Sequence, residues 1–264
     1  FYNQCPSNDD VREYIIALIE DIDVSLPLKS IQLESMNFMG FAHEYHHEKD
    51  GICLSAYEDF LFSLCFCESC MTKGENAGID MHYVRLWVKE QITKNINGNR
   101  LLASKIDLLQ DGMSLFSEFP KITEFLHWRS NMVSTLVKDV KSKVQNSDLY
   151  FLSLLTNRDS WLYGVNLQEL SQYCDGIVIC SYDCNSKSAR DDIRTSRAEF
   201  QPKTKIITGM RAFYPEYHDE HMFVEKVQNV LKESKDGFIF YNYGLIPKTQ
   251  LDWVRKAIEV CNQC

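Results

Sequence analysis

The stretch Gly176-Ile177-Val178-Ile179-Cys180 decides the fold class, because it is apolar throughout rather than at alternate positions. A strand with this pattern is typically buried on both faces, as strands of parallel sheets are. The stretch belongs to a strand predicted at residues 176–182, and comparable strands are predicted at 30–36, 149–155, 205–211 and 237–243. Between and after the later strands, amphipathic helices are predicted at 167–173, 189–200, 221–234 and 249–260. This alternation predicts an α/β architecture with a parallel sheet of five strands.

The first half of the chain adds mainly helices. Apolar residues at helical spacing predict helices at 11–22, after a Ser7-Asn8-Asp9 cap, and at 81–96, 101–109 and 121–144. The helix at 11–22 is expected to face a core.

Five strands are too few to close an eight-stranded barrel, yet residues 237–244, followed by one helix, look like the last strand of one. We therefore expect the C-terminal five or so β/α units of a (β/α)8 TIM barrel. Residues 1–264 would form a single catalytic-type barrel domain, incomplete at the N-terminus, with its first strands upstream or on a second chain. The alternative is an open doubly wound sheet that is complete as it stands and binds its ligand at the carboxyl ends of the strands.

The composition limits the kinds of partner. The chain has 264 residues, 45% of them hydrophobic and 12% aromatic, which suffices for a large core. Its net charge of -9 argues against nucleic acid or an anionic membrane as the main partner. No apolar run approaches the roughly 20 residues of a membrane span. We expect no organic cofactor; a homo-oligomer remains open, and the ten cysteines leave the compartment open, with the cytoplasm favoured.

The segment Cys65-Phe66-Cys67-Glu68-Ser69-Cys70 has C-x-C-x-x-C spacing, which lets three thiols converge on one thiophilic metal ion. Together with Cys5, it can form a closed tetrahedral site of four thiolates. Such a site would hold a structural zinc, because no coordination position is left for water. The alternative is that these cysteines are reduced thiols or disulfides.

In a parallel barrel the active site is built from residues at the carboxyl ends of the strands. The polar and aromatic residues that we predict to bind substrate there are Asn37, His43, His46, His47, Arg158, Asp159, Trp161, Tyr182, Arg211, Tyr214, Tyr241 and Asn242. Carboxylates, aromatic rings and amides are the groups that sugar sites combine. Glu34 ends an apolar strand, where partial desolvation would suit it to protonate a leaving oxygen. Asp183 is the best second carboxylate.

A cysteine after one strand, a glutamate ending the next and a C-x-C-x-x-C after it resemble the family 42 β-galactosidases and related barrel glycoside hydrolases. The resemblance implies a zinc on Cys5, Cys65, Cys67 and Cys70 beside a catalytic Glu34 on the fourth barrel strand, and a carbohydrate substrate. Two positions depart from the family pattern. Leu33 stands where the family has an asparagine, and residues 206–211 carry no carboxylate to match the nucleophile that ends the seventh strand.

Two other functions follow from these observations. The missing nucleophile favours a catalytically silent protein that binds carbohydrate or serves in an assembly. The segment His43-Glu44-Tyr45-His46-His47 matches H-E-x-x-H, in which two histidines bind zinc and the glutamate activates water. That pattern predicts a zinc metallohydrolase using His43, Glu44 and His47. However, Glu48-Lys49-Asp50-Gly51 would end a helix within one turn of it.

Overall fold

The computed structural model describes residues 4–41, 54–99, 106–153, 159–182, 186–212 and 219–261. The chain divides into two compact units. The sheet unit comprises residues 30–34, 148–157 and 167–264, and the helical unit comprises residues 1–29, 35–147 and 158–166. The expectation of a single catalytic-type domain remains a prediction.

The sheet unit contains five parallel strands, as predicted. They are β1 (Ser30–Leu33), β2 (Asp148–Ser153), β3 (Gly176–Cys180), β4 (Lys205–Arg211) and β5 (Phe238–Tyr241). Each pairs with the next in the chain, with Leu33 opposite Phe151, Phe151 opposite Ile177 and Ile177 opposite Ile206. The order β1-β2-β3-β4-β5 has no reversal, and the strands form a curled half-barrel. A doubly wound sheet would reverse its order at a switch point, so that alternative is wrong for the described strands.

Helices of the sheet unit follow its strands as predicted. They are α7 (Leu167–Leu170), α8 (Ser186–Glu199), α9 (Glu220–Leu231) and α10 (Lys248–Cys261). Helix α8 contacts β4 and α9, and α9 contacts α10. The five residues of β3 are all buried, which confirms the prediction drawn from its unbroken apolar run.

The helical unit is built from α1 (Asp9–Ser25), α2 (Ala56–Phe62), α3 (Glu68–Asn76), α4 (Met81–Lys94), α5 (Leu108–Asp111) and α6 (Pro120–Lys143). The predicted caps form: Asn8 accepts a hydrogen bond from the Val11 amide at 3.0 Å. Helix α6 supplies much of the core through Phe125, Leu136 and Val140. None of the described helices combines the length and apolar content that a membrane span requires.

Two expectations about the first elements need correction. Strand β1 ends at Leu33 rather than continuing to residue 36, and Ser35 just beyond it adopts a left-handed conformation (φ 58°) that a strand cannot contain. Helix α1 contains the predicted span 11–22 and extends beyond it at both ends, but only part of its apolar face is covered. Ile19 is buried, whereas Tyr14 and Leu18 are exposed.

Candidate functional site

The four predicted metal ligands converge within the helical unit. The sulfur atoms of Cys5, Cys65, Cys67 and Cys70 all lie within 4.8 Å of one another, and those of Cys5 and Cys70 are 3.4 Å apart. A disulfide would require about 2.05 Å, and all four are free cysteines. Four sulfurs at about 2.3 Å from a tetrahedral zinc are about 3.8 Å from one another. The spacing therefore fits a metal centre, and the disulfide alternative does not fit these four residues.

Local structure explains why the cysteines meet. Cys67 is the N-cap residue of α3, and Cys70 lies in the first turn of that helix, where it is fully buried. Cys5 opens the turn before α1, and its carbonyl accepts from the Asn8 amide at 2.9 Å. The Asn8 side chain then donates to the Ser69 hydroxyl at 3.2 Å. The two helix starts are thus joined beside the cluster, although Cys5 and Cys70 are 65 positions apart.

The pKa values of the thiols indicate whether the cluster would need a metal ion to hold four thiolates. Hydrogen bonds from the thiols of Cys65 and Cys70 lower the pKa of Cys5 to about 2. The bond to Cys5 raises the pKa of Cys65 to about 12, with burial adding to the shift, and the same causes raise the pKa of Cys70. These shifts favour a thiolate at Cys5 beside neutral thiols at Cys65 and Cys70. A divalent cation is what would allow four thiolates at this spacing, and soft thiolate ligands select such metals as zinc.

Helix α6 supports the cluster through two contacts. Phe66, between two of the ligands, stacks on Phe125 with ring centroids 5.7 Å apart and an angle of 10°. Arg12 donates to the carbonyls of Pro6, beside Cys5, and of Met132 on α6. Arg129, also on α6, is buried at 1% exposure, and the sequence analysis did not single it out. An arginine inside an apolar helical stripe was the available signal.

A second set of predicted residues meets in the sheet unit. The ring of Tyr182, just past β3, stacks on that of Tyr241 in β5 at 5.7 Å. The Arg211 guanidinium, at the end of β4, lies 4.5 Å from the centre of the Tyr182 ring. Burial raises the pKa of both Tyr182 and the Cys180 thiol. Glu34 and Arg211 both act electrostatically on Cys180, so opposite charges approach these carboxyl ends.

Glu34 is exposed, which differs from the expectation of a partly desolvated carboxylate. It follows the last residue of β1 directly, and the strand's burial alternates, with Ile31 and Leu33 buried and Gln32 exposed. Glu34 continues the exposed side of that alternation. Its position at a carboxyl end of the sheet is as predicted; its catalytic role remains a prediction.

Three predicted substrate-binding residues belong to the helical unit and have local contacts there. Asn37 donates from its side chain to the carbonyl of its neighbour Phe38 at 2.8 Å. Asp159 is the N-cap residue of the 3-10 turn Ser160–Tyr163, and its carbonyl accepts from Leu162. Trp161, which is partly buried, packs edge-on against Phe60 and Phe116. Its role in substrate binding remains a prediction.

Asn242, in the sheet unit, accepts a hydrogen bond from the Gly244 amide and thereby shapes the turn after β5. The remaining predicted site residues lie outside the described residues: His43, His46, His47, Arg158, Asp183 and Tyr214, together with Glu44 of the H-E-x-x-H pattern.

Comparisons of the chain with protein-family models, with curated proteins and with solved structures found no match.

Proposed function

We propose that this chain is a glycoside hydrolase whose five parallel strands belong to a (β/α)8 barrel, and that its four cysteines hold a structural zinc. The observation that carries the proposed activity is the group of Tyr182, Arg211 and Tyr241 at the carboxyl ends of three consecutive strands. Active sites of parallel barrels are built at these ends. Aromatic rings that stack on sugar rings, beside charged hydrogen-bonding groups, are typical of carbohydrate sites.

The consecutive strand order supports the barrel. Each strand of a (β/α)8 barrel pairs with its neighbours in the chain, and β1 to β5 do so without exception. Strand β5 is only partly buried, with Tyr241 at 45% exposure and Ile239 at 36%. Apolar residues left exposed on a last strand fit a sheet that continues into further strands.

The proposed chemistry assigns Glu34 as the acid that protonates the leaving glycosidic oxygen. Asp183 would be the second carboxylate, acting on the anomeric carbon directly or through water according to its distance from Glu34. Zinc would take no part in the reaction: it would occupy a closed four-thiolate site and stabilise the fold.

The test measures reducing sugar released from alkyl glycosides and oligosaccharides of α and β configuration, whose leaving oxygens require a proton, with the wild-type protein, Glu34→Gln and Glu225→Gln. Glu225 is an exposed glutamate on α9 of the same unit and serves as the matched control. We expect at least one glycoside to be cleaved, with a loss of about 100-fold or more in E34Q, the range of a general acid, and none in E225Q. Wild-type rates in E34Q would overturn the assignment.

A second candidate is carbohydrate binding without cleavage, and Arg211 favours it. The residue that ends β4 is a cation whose guanidinium lies over Tyr182, where the resembling enzymes have a nucleophilic glutamate. Calorimetric titration with oligosaccharides distinguishes the two. Binding that is lost in Tyr241→Ala, with no turnover of any glycoside, would select this function.

A further inference from the structure

Arg129 is a buried cation whose described partners are all uncharged. It lies on α6 at 1% exposure. Its Nη1 donates to the Leu162 carbonyl at 2.7 Å and its Nη2 to the Ser63 carbonyl at 3.4 Å, while its guanidinium lies 4.6 Å from the centre of the Phe38 ring. Its Nε is buried without a hydrogen-bond partner among the described residues. No described carboxylate forms an ion pair with it.

Such an arrangement is unusual, because a charge removed from water is normally paired with an opposite charge. Carbonyl oxygens satisfy some of the N–H groups of a guanidinium but do not neutralise it. The Arg129 side chain is also tightly packed. Gly164 follows the turn that presents the Leu162 carbonyl, and a Cβ there would meet the Arg129 backbone oxygen at 3.2 Å. Among the described residues, a counter-charge would therefore have to come from groups next to this side chain.

Residues of the cysteine cluster lie close to Arg129 in the helical unit. Ser63, which binds Nη2, precedes Cys65 by two residues, and Phe66 stacks on Phe125, one helical turn before Arg129. Burial lowers the pKa of Arg129 to about 10, and the groups that act against this shift are Cys65, Cys70, Tyr163 and Cys5, in that order. Three of these four are proposed metal ligands. A divalent ion on four thiolates would carry a net charge of -2.

We propose that Arg129 is the counter-cation of the four-cysteine metal centre and strengthens metal binding by offsetting its negative charge. This inference rests on the proposed metal centre. Arg129 would not bind the metal itself. It would act on the metal ligands and thereby raise the affinity of the centre for the metal. Partners next to metal ligands typically change affinity by about 10- to 100-fold when removed.

The test measures zinc affinity by competition with a chromophoric chelator, using proteins purified with zinc, and cobalt absorption to verify a tetrahedral thiolate site. Arg129→Met removes the charge and retains an apolar side chain. We expect its zinc affinity to fall about 10- to 100-fold. Lys121→Met, which removes a cation from the first turn of the same helix, where it pairs with Asp80, is the control and should bind zinc as the wild type does.

Two further variants separate charge from hydrogen bonding. Arg129→Lys retains the charge and should recover most of the affinity lost in R129M; it also serves if R129M does not fold. Cys67→His, at the most exposed ligand, lowers the negative charge of the centre by one. In that background R129M should cost less affinity than in the wild type.

The outcomes are distinct. Wild-type affinity in R129M, or the same loss in R129K and R129M, would overturn the role of the charge. An equal effect of R129M in the wild-type and Cys67→His backgrounds would do the same. A wild-type protein that gives no tetrahedral thiolate spectrum with cobalt would overturn the metal centre itself, and this inference with it.

Discussion

Cys5→Ser should cost the helical unit a large part of its stability, because Cys5 is the ligand that closes a long loop. The metal would join Cys5 to Cys70, 65 positions away in the chain. By the chain-entropy argument used for cross-links, closing a loop of that length stabilises the folded state by about 4 kcal/mol. The serine variant keeps three thiolates but loses this link. We therefore expect its free energy of unfolding to fall by about 4 kcal/mol.

The assay is urea unfolding of zinc-loaded protein, with and without chelator, followed by far-ultraviolet circular dichroism. Native mass spectrometry of the same samples counts bound zinc. The chelator should destabilise the wild type by about as much as Cys5→Ser does, roughly 4 kcal/mol, and should have little further effect on the variant. The matched control is Cys174→Ser, a buried cysteine of the sheet unit, which should lose about 1 kcal/mol and keep its zinc.

Two results would refute this reasoning. The first is a wild-type protein whose unfolding is unchanged by the chelator, since the metal would then not act as a cross-link. The second is a Cys5→Ser variant that still responds to the chelator as the wild type does. In that case the remaining three cysteines would hold the metal, and the long loop would contribute nothing.

The remaining predictions concern a buried carboxylate and two glycines. Burial tends to raise the pKa of Asp23, but the backbone amides of Asn146 and Gln145 lower it below 3.8 overall; its charge therefore stabilises the fold above this pH and loses that effect below it. Asp23→Asn should be less stable than the wild type at neutral pH, and the difference should shrink as the pH falls below 3.8. Thermal unfolding at each pH measures this difference, and a difference that does not change with pH would contradict the reasoning. Gly176→Ala would place a Cβ 2.2 Å from the Tyr150 ring and 3.2 Å from the Lys205 carbonyl, and should cost about 1–3 kcal/mol. Gly209→Ala, whose Cβ meets nothing closer than 3.5 Å, should be tolerated in the same urea assay; equal losses would show that close packing at residue 176 is unimportant.

The sheet could be predicted from the sequence because its buried strands consist mainly of apolar residues. Strand β4 has the predicted bounds, and β3 is buried at every residue. The end of β1 was harder to predict, because it depends on one backbone conformation at Ser35 that the pattern of apolar residues does not encode. Periodicity likewise identified the apolar face of α1 but not what covers it, and Tyr14 remains 59% exposed.

Around the candidate metal site, too, some residues could be predicted from the sequence and others could not. Three of its ligands share a short motif, so spacing alone indicated them. Arg129 belongs to no motif, and its place in the apolar stripe of α6 is a weak signal, because arginines are mostly exposed and its partners lie far away in the chain. The carbonyls that bind it are 33 and 66 positions distant. Long-range contacts of this kind are decided by how helices pack, which local patterns do not specify.

The two proposed functions, hydrolysis and binding without cleavage, use the same group of residues. They differ in whether the exposed Glu34 can act on the bound sugar. A general acid must carry a proton when the leaving oxygen departs. Desolvation favours the protonated form, so a ligand that covers the end of β1 would create the acid that hydrolysis requires. Tyr182 contacts Tyr241 and Arg211, and the half-exposed Tyr241 offers an aromatic surface on which a sugar could rest. A sugar that rests on Tyr241 without reaching Glu34 would be bound and left intact. A sugar that extends from Tyr241 to Glu34 would cover this carboxyl group on binding and could then be protonated by it.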